Sequence, residues 1–134
     1  MFKRKSSTRR RKSRRRRLCA VNARKRIKIL SMNNYLCNPN SHRSASVHVS
    51  TLIKGKMEQR NHAGVADVES KNRIVEVKHV SDWKHGLGQV LAYHYAKQTK
   101  SPVLALYNTN NMKQEKLSFV EKTCAHYNVE LLIV

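Results

Sequence analysis

Acidic residues are scarce in this chain and absent from its first two-fifths, where the first one met is Glu58. Among 134 residues, Lys+Arg number 28 and Asp+Glu 8, a formal net charge of +20. Residues 1–57 carry 18 Lys/Arg and no acid, whereas residues 58–134 carry 10 Lys/Arg and all 8 acids, leaving them near neutral at +2. Apolar runs are short as well. A membrane-spanning helix needs about 20 predominantly apolar residues, and Leu131-Leu132-Ile133-Val134 falls far below that. Leu18-Cys19-Ala20-Val21 is too short for a secretory apolar stretch of about 7–15 residues. The expectation is an intracellular chain with no membrane partner. The 3 cysteines, Cys19, Cys37 and Cys124, form no CxxC pair, so neither a zinc ribbon nor a disulfide framework is signalled. Reduced thiols are the default, with Cys124 a small core residue. Only 4 glycines occur and none forms GxxxxGK, which excludes a phosphate-cradling loop of that type. The 7 histidines show no metal-ligand spacing, and no Ser/His/Asp hydrolase pattern is visible. With aromatics at 6%, a core must rest on Val, Leu, Ile and Ala.

What is present divides in two. Residues 1–17 are almost wholly Lys, Arg, Ser and Thr. Like charges repel and nothing apolar is there to bury, which predicts disorder in the free chain. Residues 18–30 mix apolar and basic side chains and allow a short helix. Residues 31–46 are rich in Asn, Ser, Pro and His and read as linker. The boundary falls there: 1–46 a basic tail and linker, 47–134 an α/β domain. Residues 47–54 fit either a strand or a short helix.

From residue 56 the pattern sharpens. Lys56–Arg60 and Val65–Glu69 read as short strands around a His62-Ala63-Gly64 turn, and Arg73–Val80 as a strong strand. Ile74, Glu76, Lys78 and Val80 point one way from that strand, and Val75, Val77 and His79 the other. Apolar residues on both faces mark a central strand covered on both sides. Ser81-Asp82 offers a helix N-cap. Trp83, Leu87, Val90, Leu91 and His94 then fall on one stripe of a helix running to about Thr99, and Gly86, Gln89 and Tyr93 on a second. Val103–Tyr107 reads as a buried strand, 114–127 as a helix with Leu117, Val120 and Cys124 inward, and Val129–Val134 as a last strand. The order βββ-α-β-α-β predicts a mixed α/β sheet with helices on its faces.

The scarce acids then become informative. Glu76 and Lys78 stand two apart on the most apolar strand, so both emerge on one face. Burying them costs several kcal/mol, on the order of magnitude usual for charges, unless they are paired or metal-bound. A hairpin brings Asp67 near Glu76, and two carboxylates that close repel unless a cation separates them. An ion pair, Glu76–Lys78 or Asp67–Lys78, in an inert domain accounts for the same residues.

Asp67 followed by Val75-Glu76-Val77-Lys78 resembles the motif of the PD-(D/E)xK nuclease superfamily, although Asp67 follows Ala66 rather than proline. Trp83-Lys84-x-x-Leu87-Gly88-Gln89-Val90-Leu91-x-Tyr93 is similar to the helix after the motif in a subset of these enzymes. The resemblance covers roughly residues 56–110 and implies a restriction-endonuclease-like fold. It implies Mg²⁺, with Mn²⁺ as the alternative, held by Asp67, Glu76 and the Val77 backbone carbonyl. It further implies Lys78 and Gln89 as catalytic residues beside Asp67 and Glu76, and metal-dependent phosphodiester hydrolysis, most readily of DNA. Many such enzymes act as homodimers. Family members usually carry a further acid on a helix before the first core strand. No acid exists there, and Glu58 is the one upstream candidate. A catalytically inactive nucleic-acid-binding module on the same fold is the alternative. In either case Arg9, Arg10, Arg11, Lys12, Arg14, Arg15, Arg16 and Arg17 supply non-specific phosphate contacts. The same residues fit a nuclear or organelle-targeting role, which points to the nucleus or another DNA-containing compartment.

Overall fold

The computed structural model describes the backbone of residues 27–29 and all of residues 41–134. The elements run β1 (Ile27–Ile29), α1 (His42–Ile53), β2 (Lys56–Asn61), β3 (Gly64–Glu69), β4 (Arg73–His79), α2 (Trp83–Ala96), β5 (Ser101–Tyr107), α3 (Gln114–His126) and β6 (Glu130–Ile133). Among the described residues they build one mixed sheet of 6 strands in the order β1-β6-β5-β4-β3-β2. The β2–β3–β4 part is an antiparallel meander, and β4, β5, β6 and β1 are parallel. The predicted βββ-α-β-α-β order from residue 56 and the central place of β4 are both observed.

The two faces of β4 explain the layering. Val75 and Val77 pack with Val103, Ala105 and Leu132 beneath Ala45 and Val49 of α1. On the other face, Leu104, Leu106 and Leu131 meet Trp83, Leu87 and Val90 of α2 and Val120 and Cys124 of α3. Cys124 is a buried core residue, and burial pushes its thiol up to about 11. Leu117 is only half-buried. Helices therefore cover both sides of the sheet, as parallel strands require.

Several local expectations change. The helix allowed over 18–30 gives way, in its described part, to strand β1, because Ile27–Ile29 finds a parallel partner in Leu131–Ile133. Residues 47–53 are helical, with Lys54 a left-handed C-cap, and the helix begins at His42, inside the stretch read as linker. Its start is fixed by Ser41, whose hydroxyl accepts from the Ser44 N–H at 3.2 Å. Before α2, Val80–Asp82 forms a 3₁₀ turn capped by the His79 ring, which accepts from the Ser81 N–H, and Asp82 makes no side-chain cap. The helix itself ends at Ala96, before Thr99. Residues 1–17, with the arginines and lysine assigned to phosphate contact, lie outside the described residues.

Candidate functional site

The site forms where two neighbouring strands part. β3 pairs with β4 at Val68↔Val75 and Glu69↔Ile74, while β4 pairs with β5 along its whole length. Beyond Val68 the backbone bond is replaced by a side chain: Val77 N–H donates to Asp67 Oδ2 at 2.7 Å. Around this point the structure gathers Asp67 from β3, Glu76 and Lys78 from β4, and Gln89 and Tyr93 from α2.

Glu76 is 2% exposed, one of the few polar residues in the buried interior. Its Oε1 accepts from Lys78 Nζ at 2.7 Å, and its Oε2 is buried with no hydrogen-bond partner. Burial, with the nearby Asp67 charge adding to it and Lys78 opposing it, pushes the Glu76 carboxyl up to about 7. Burial alone favours a neutral Lys78, but the hydrogen bond and charge of Glu76 outweigh it and hold the ammonium above its usual range. Glu76 and Lys78 thus meet as the ion-pair expectation has it, yet the pairing leaves half of the carboxylate unsatisfied.

The lysine stem passes under α2 at Gly86. A Cβ there would lie 2.7 Å from both Lys78 Cγ and Leu104 Cδ1. Tyr93, buried beside Ala66 and Ile74, donates its hydroxyl to the Val65 carbonyl at 3.0 Å. Its oxygen is then left to accept, and Gln89 Nε2 faces it at 3.5 Å. That turns Gln89 Oε1 away, and this atom too is buried without a partner. The pocket therefore contains two orphaned oxygens, Glu76 Oε2 and Gln89 Oε1, which are acceptors with nothing to accept. Oxygen donors of this kind are the ones hard divalent cations take, although only Asp67 and Glu76 among them are carboxylates.

The structure brings Asp67, Glu76, Lys78 and Gln89 to one pocket. It does not bring Glu58 to them. That residue lies on the outer strand β2 with an exposed side chain and a left-handed backbone, φ 54°. Instead, the upstream helix supplies His42, whose Nε2 stands 3.3 Å from Asp67 Oδ2. His42 was missed from sequence, whereas Tyr93 was placed on the Gln89 face of its helix without a role. Among the described residues, no three His, Cys, Asp or Glu side chains stand close enough together to hold a metal ion. Nor is any helix among them long and apolar enough to cross a membrane.

The chain resembles three proteins of Acanthamoeba polyphaga mimivirus, each described as a KilA-N domain-containing protein. One is 30% identical over 98 residues, which make up 70% of this chain and 38% of that protein. Another is 31% identical over 87 residues, 65% of this chain and 23% of the relative. A third is 26% identical over 117 residues, 86% of this chain and 32% of the relative. The chain spans less than half the length of each. No family model matches it, and no solved structure matches it.

Proposed function

We propose that the chain is a nucleic-acid-binding α/β module whose pocket around Asp67, Glu76 and Lys78 holds a divalent cation and hydrolyses a phosphodiester, with DNA the favoured substrate. The observation that carries the reading is Glu76 itself. A carboxylate this deeply buried, with one oxygen on Lys78 and the Asp67 carboxylate crowding it, is an electrostatic arrangement that a cation would relieve. Asp67, Glu76 and the Val77 carbonyl are the candidates to hold the cation. When bound, it would polarise a phosphodiester oxygen and lower the pKa of a water. Lys78, 22% exposed, keeps its ammonium charged and is free to turn from Glu76 toward charge developing on the phosphate. Gln89, fixed by the Tyr93 hydroxyl, presents Oε1 as an acceptor that orients a water proton. The resemblance to the PD-(D/E)xK nucleases supports the same roles.

A second reading, binding without hydrolysis on the same scaffold, is favoured by the relatives named for a KilA-N domain. None of their names speaks for catalysis. The lack of three grouped ligand side chains among the described residues favours it too. Incubation with plasmid in Mg²⁺ or Mn²⁺, against EDTA and Lys78→Ala, separates the two. Cleavage confined to the metal-loaded wild type supports hydrolysis. Retention of nucleic acid without cleavage leaves the binding reading alone. Cleavage that persists in EDTA or in the variant refutes the assignment of the pocket. Deleting residues 1–17 should flatten the salt dependence of binding, each lost phosphate contact removing about 0.9 from the log–log slope. An unchanged slope refutes the phosphate role of the tail.

A further inference from the structure

We propose that the end of the sheet where β4, β5 and β6 begin is a docking surface for the phosphate backbone of a nucleic-acid duplex. This rests on the nucleic-acid-binding reading above and gives it a place on the folded domain. A concavity of about 470 Å³ opens there, lined by Ile53 and Lys54 at the end of α1, by the Ser70–Arg73 turn, and by Ser101 and Glu130. Charge singles this end out. Of the charges in residues 58–134, Lys71, Arg73, Lys97 and Lys100 gather here against Glu69 and Glu130, an excess of two. The others, 6 basic and 6 acidic, cancel. The whole surplus of that part of the chain therefore lies at one end of the sheet, and Lys54 adds to it.

The acids at this end are already engaged. Glu69 accepts from Lys97 at 2.6 Å and lies 3.2 Å from Lys100, and Glu130 lies 3.3 Å from Arg73 Nε. Lys54 and Lys71 are exposed and have no ion-pair partner among the described residues. The backbone that carries them is fixed. Lys54 is the left-handed cap of α1, its N–H donating to the Ser50 and Thr51 carbonyls. The Ser70–Arg73 turn is closed by the Arg73 N–H on Ser70 Oγ at 3.2 Å, and by the Ser101 N–H on the Asn72 carbonyl at 2.8 Å. Lys100 Nζ donates to the Ser70 and Lys71 carbonyls as well. A turn held this firmly presents Lys71 with little backbone left to order on binding. The lining also decides the kind of anion. It holds no aromatic side chain, so it offers no platform on which unpaired bases stack. Ammonium groups beside the Ser70 and Ser101 hydroxyls and the Asn72 amide are instead the donors that phosphate oxygens take, and such contacts position a duplex without reading its sequence.

The test is duplex DNA binding by the full chain, followed by fluorescence anisotropy across a salt series. The double variant Lys54→Ala/Lys71→Ala is compared with Lys116→Ala/Lys122→Ala, which removes the same charge from exposed positions on α3. The first pair is expected to weaken binding about fivefold for each lost phosphate contact at about 0.15 M salt, and to lower the log–log salt slope by about 0.9 per contact. The loss should be the same on duplexes of unrelated sequence, and the second pair should change little. Circular dichroism checks that all variants are folded. Acetylation footprinting of the wild type gives a second readout: the duplex should shield Lys54 and Lys71, and inorganic phosphate should not. No loss in the first pair, or equal losses in both, overturns the docking surface and leaves the nucleic-acid reading standing. Shielding by inorganic phosphate as strong as by the duplex makes a free anion the ligand and overturns the choice of partner. A wild type that retains no duplex overturns both this inference and the reading it rests on.

Discussion

Replacing Glu76 by glutamine tests the electrostatics of the pocket without reference to nucleic acid or metal. The buried Glu76 carboxyl is raised from 4.5 to about 7, first by burial. Between those two values the folded protein holds a proton that the unfolded chain has released, so the contribution of Glu76 to stability falls as pH rises through the window. Each unit between the folded and unfolded values is worth about 1.4 kcal/mol, which sets the full cost, reached above about pH 7, at about 3 kcal/mol. Glutamine has the same shape and no charge to bury, and Lys78 has solvent within reach. The wild type and Glu76→Gln should therefore differ little near pH 5. At pH 8 the variant should be more stable by about 2–3 kcal/mol. Urea unfolding followed by circular dichroism from pH 4.5 to 8.5 measures the difference, and histidines that titrate in both proteins cancel. A difference that stays flat across the window, or a wild type that gains on the variant as pH rises, refutes the reasoning.

Three further outcomes follow from the same contacts. Gly86→Ala places a methyl group against Lys78 Cγ and Leu104 Cδ1; thermal unfolding should show a loss of about 1–3 kcal/mol, and an unchanged midpoint would mean α2 stands further from β4 than described. Tyr93→Phe removes the hydroxyl that ties α2 to the Val65 carbonyl and should cost about 1 kcal/mol in urea unfolding. Ser41→Ala removes the cap of α1 and should cost about 1 kcal/mol, with faster amide exchange confined to the first turn of that helix.

The meander and the two crossover units were legible because their strands are dense in Val, Ile and Leu and their turns carry Gly, Ser, Asn or Pro. Asp67 and Glu76 stood out because acids are rare and these two fall in apolar surroundings. Helix α1 was hidden by its composition. Its serines and threonine are weak helix formers, and two of them, Ser46 and Thr51, bond back to carbonyls four residues earlier. What stabilises it is the seat of Ala45 and Val49 on the sheet, a tertiary effect that no local pattern displays. His42 was invisible for the same reason, since its relation to Asp67 exists only once α1 is docked. Glu58 was an upstream candidate by position in the chain alone, and its left-handed backbone and exposed side chain show only once β2 is in place.

The short ladder between β3 and β4 also makes the site a fastening. The β2–β3 hairpin joins the rest of the sheet by backbone pairing only near Val68 and Glu69. At its open end it is held by Asp67 on the Val77 amide and by Tyr93 on the Val65 carbonyl. The side chains that build the pocket are thus the ones that keep this edge of the sheet from peeling away. Loss of either Asp67 or Tyr93 would therefore loosen this edge of the sheet as well as the cluster it borders.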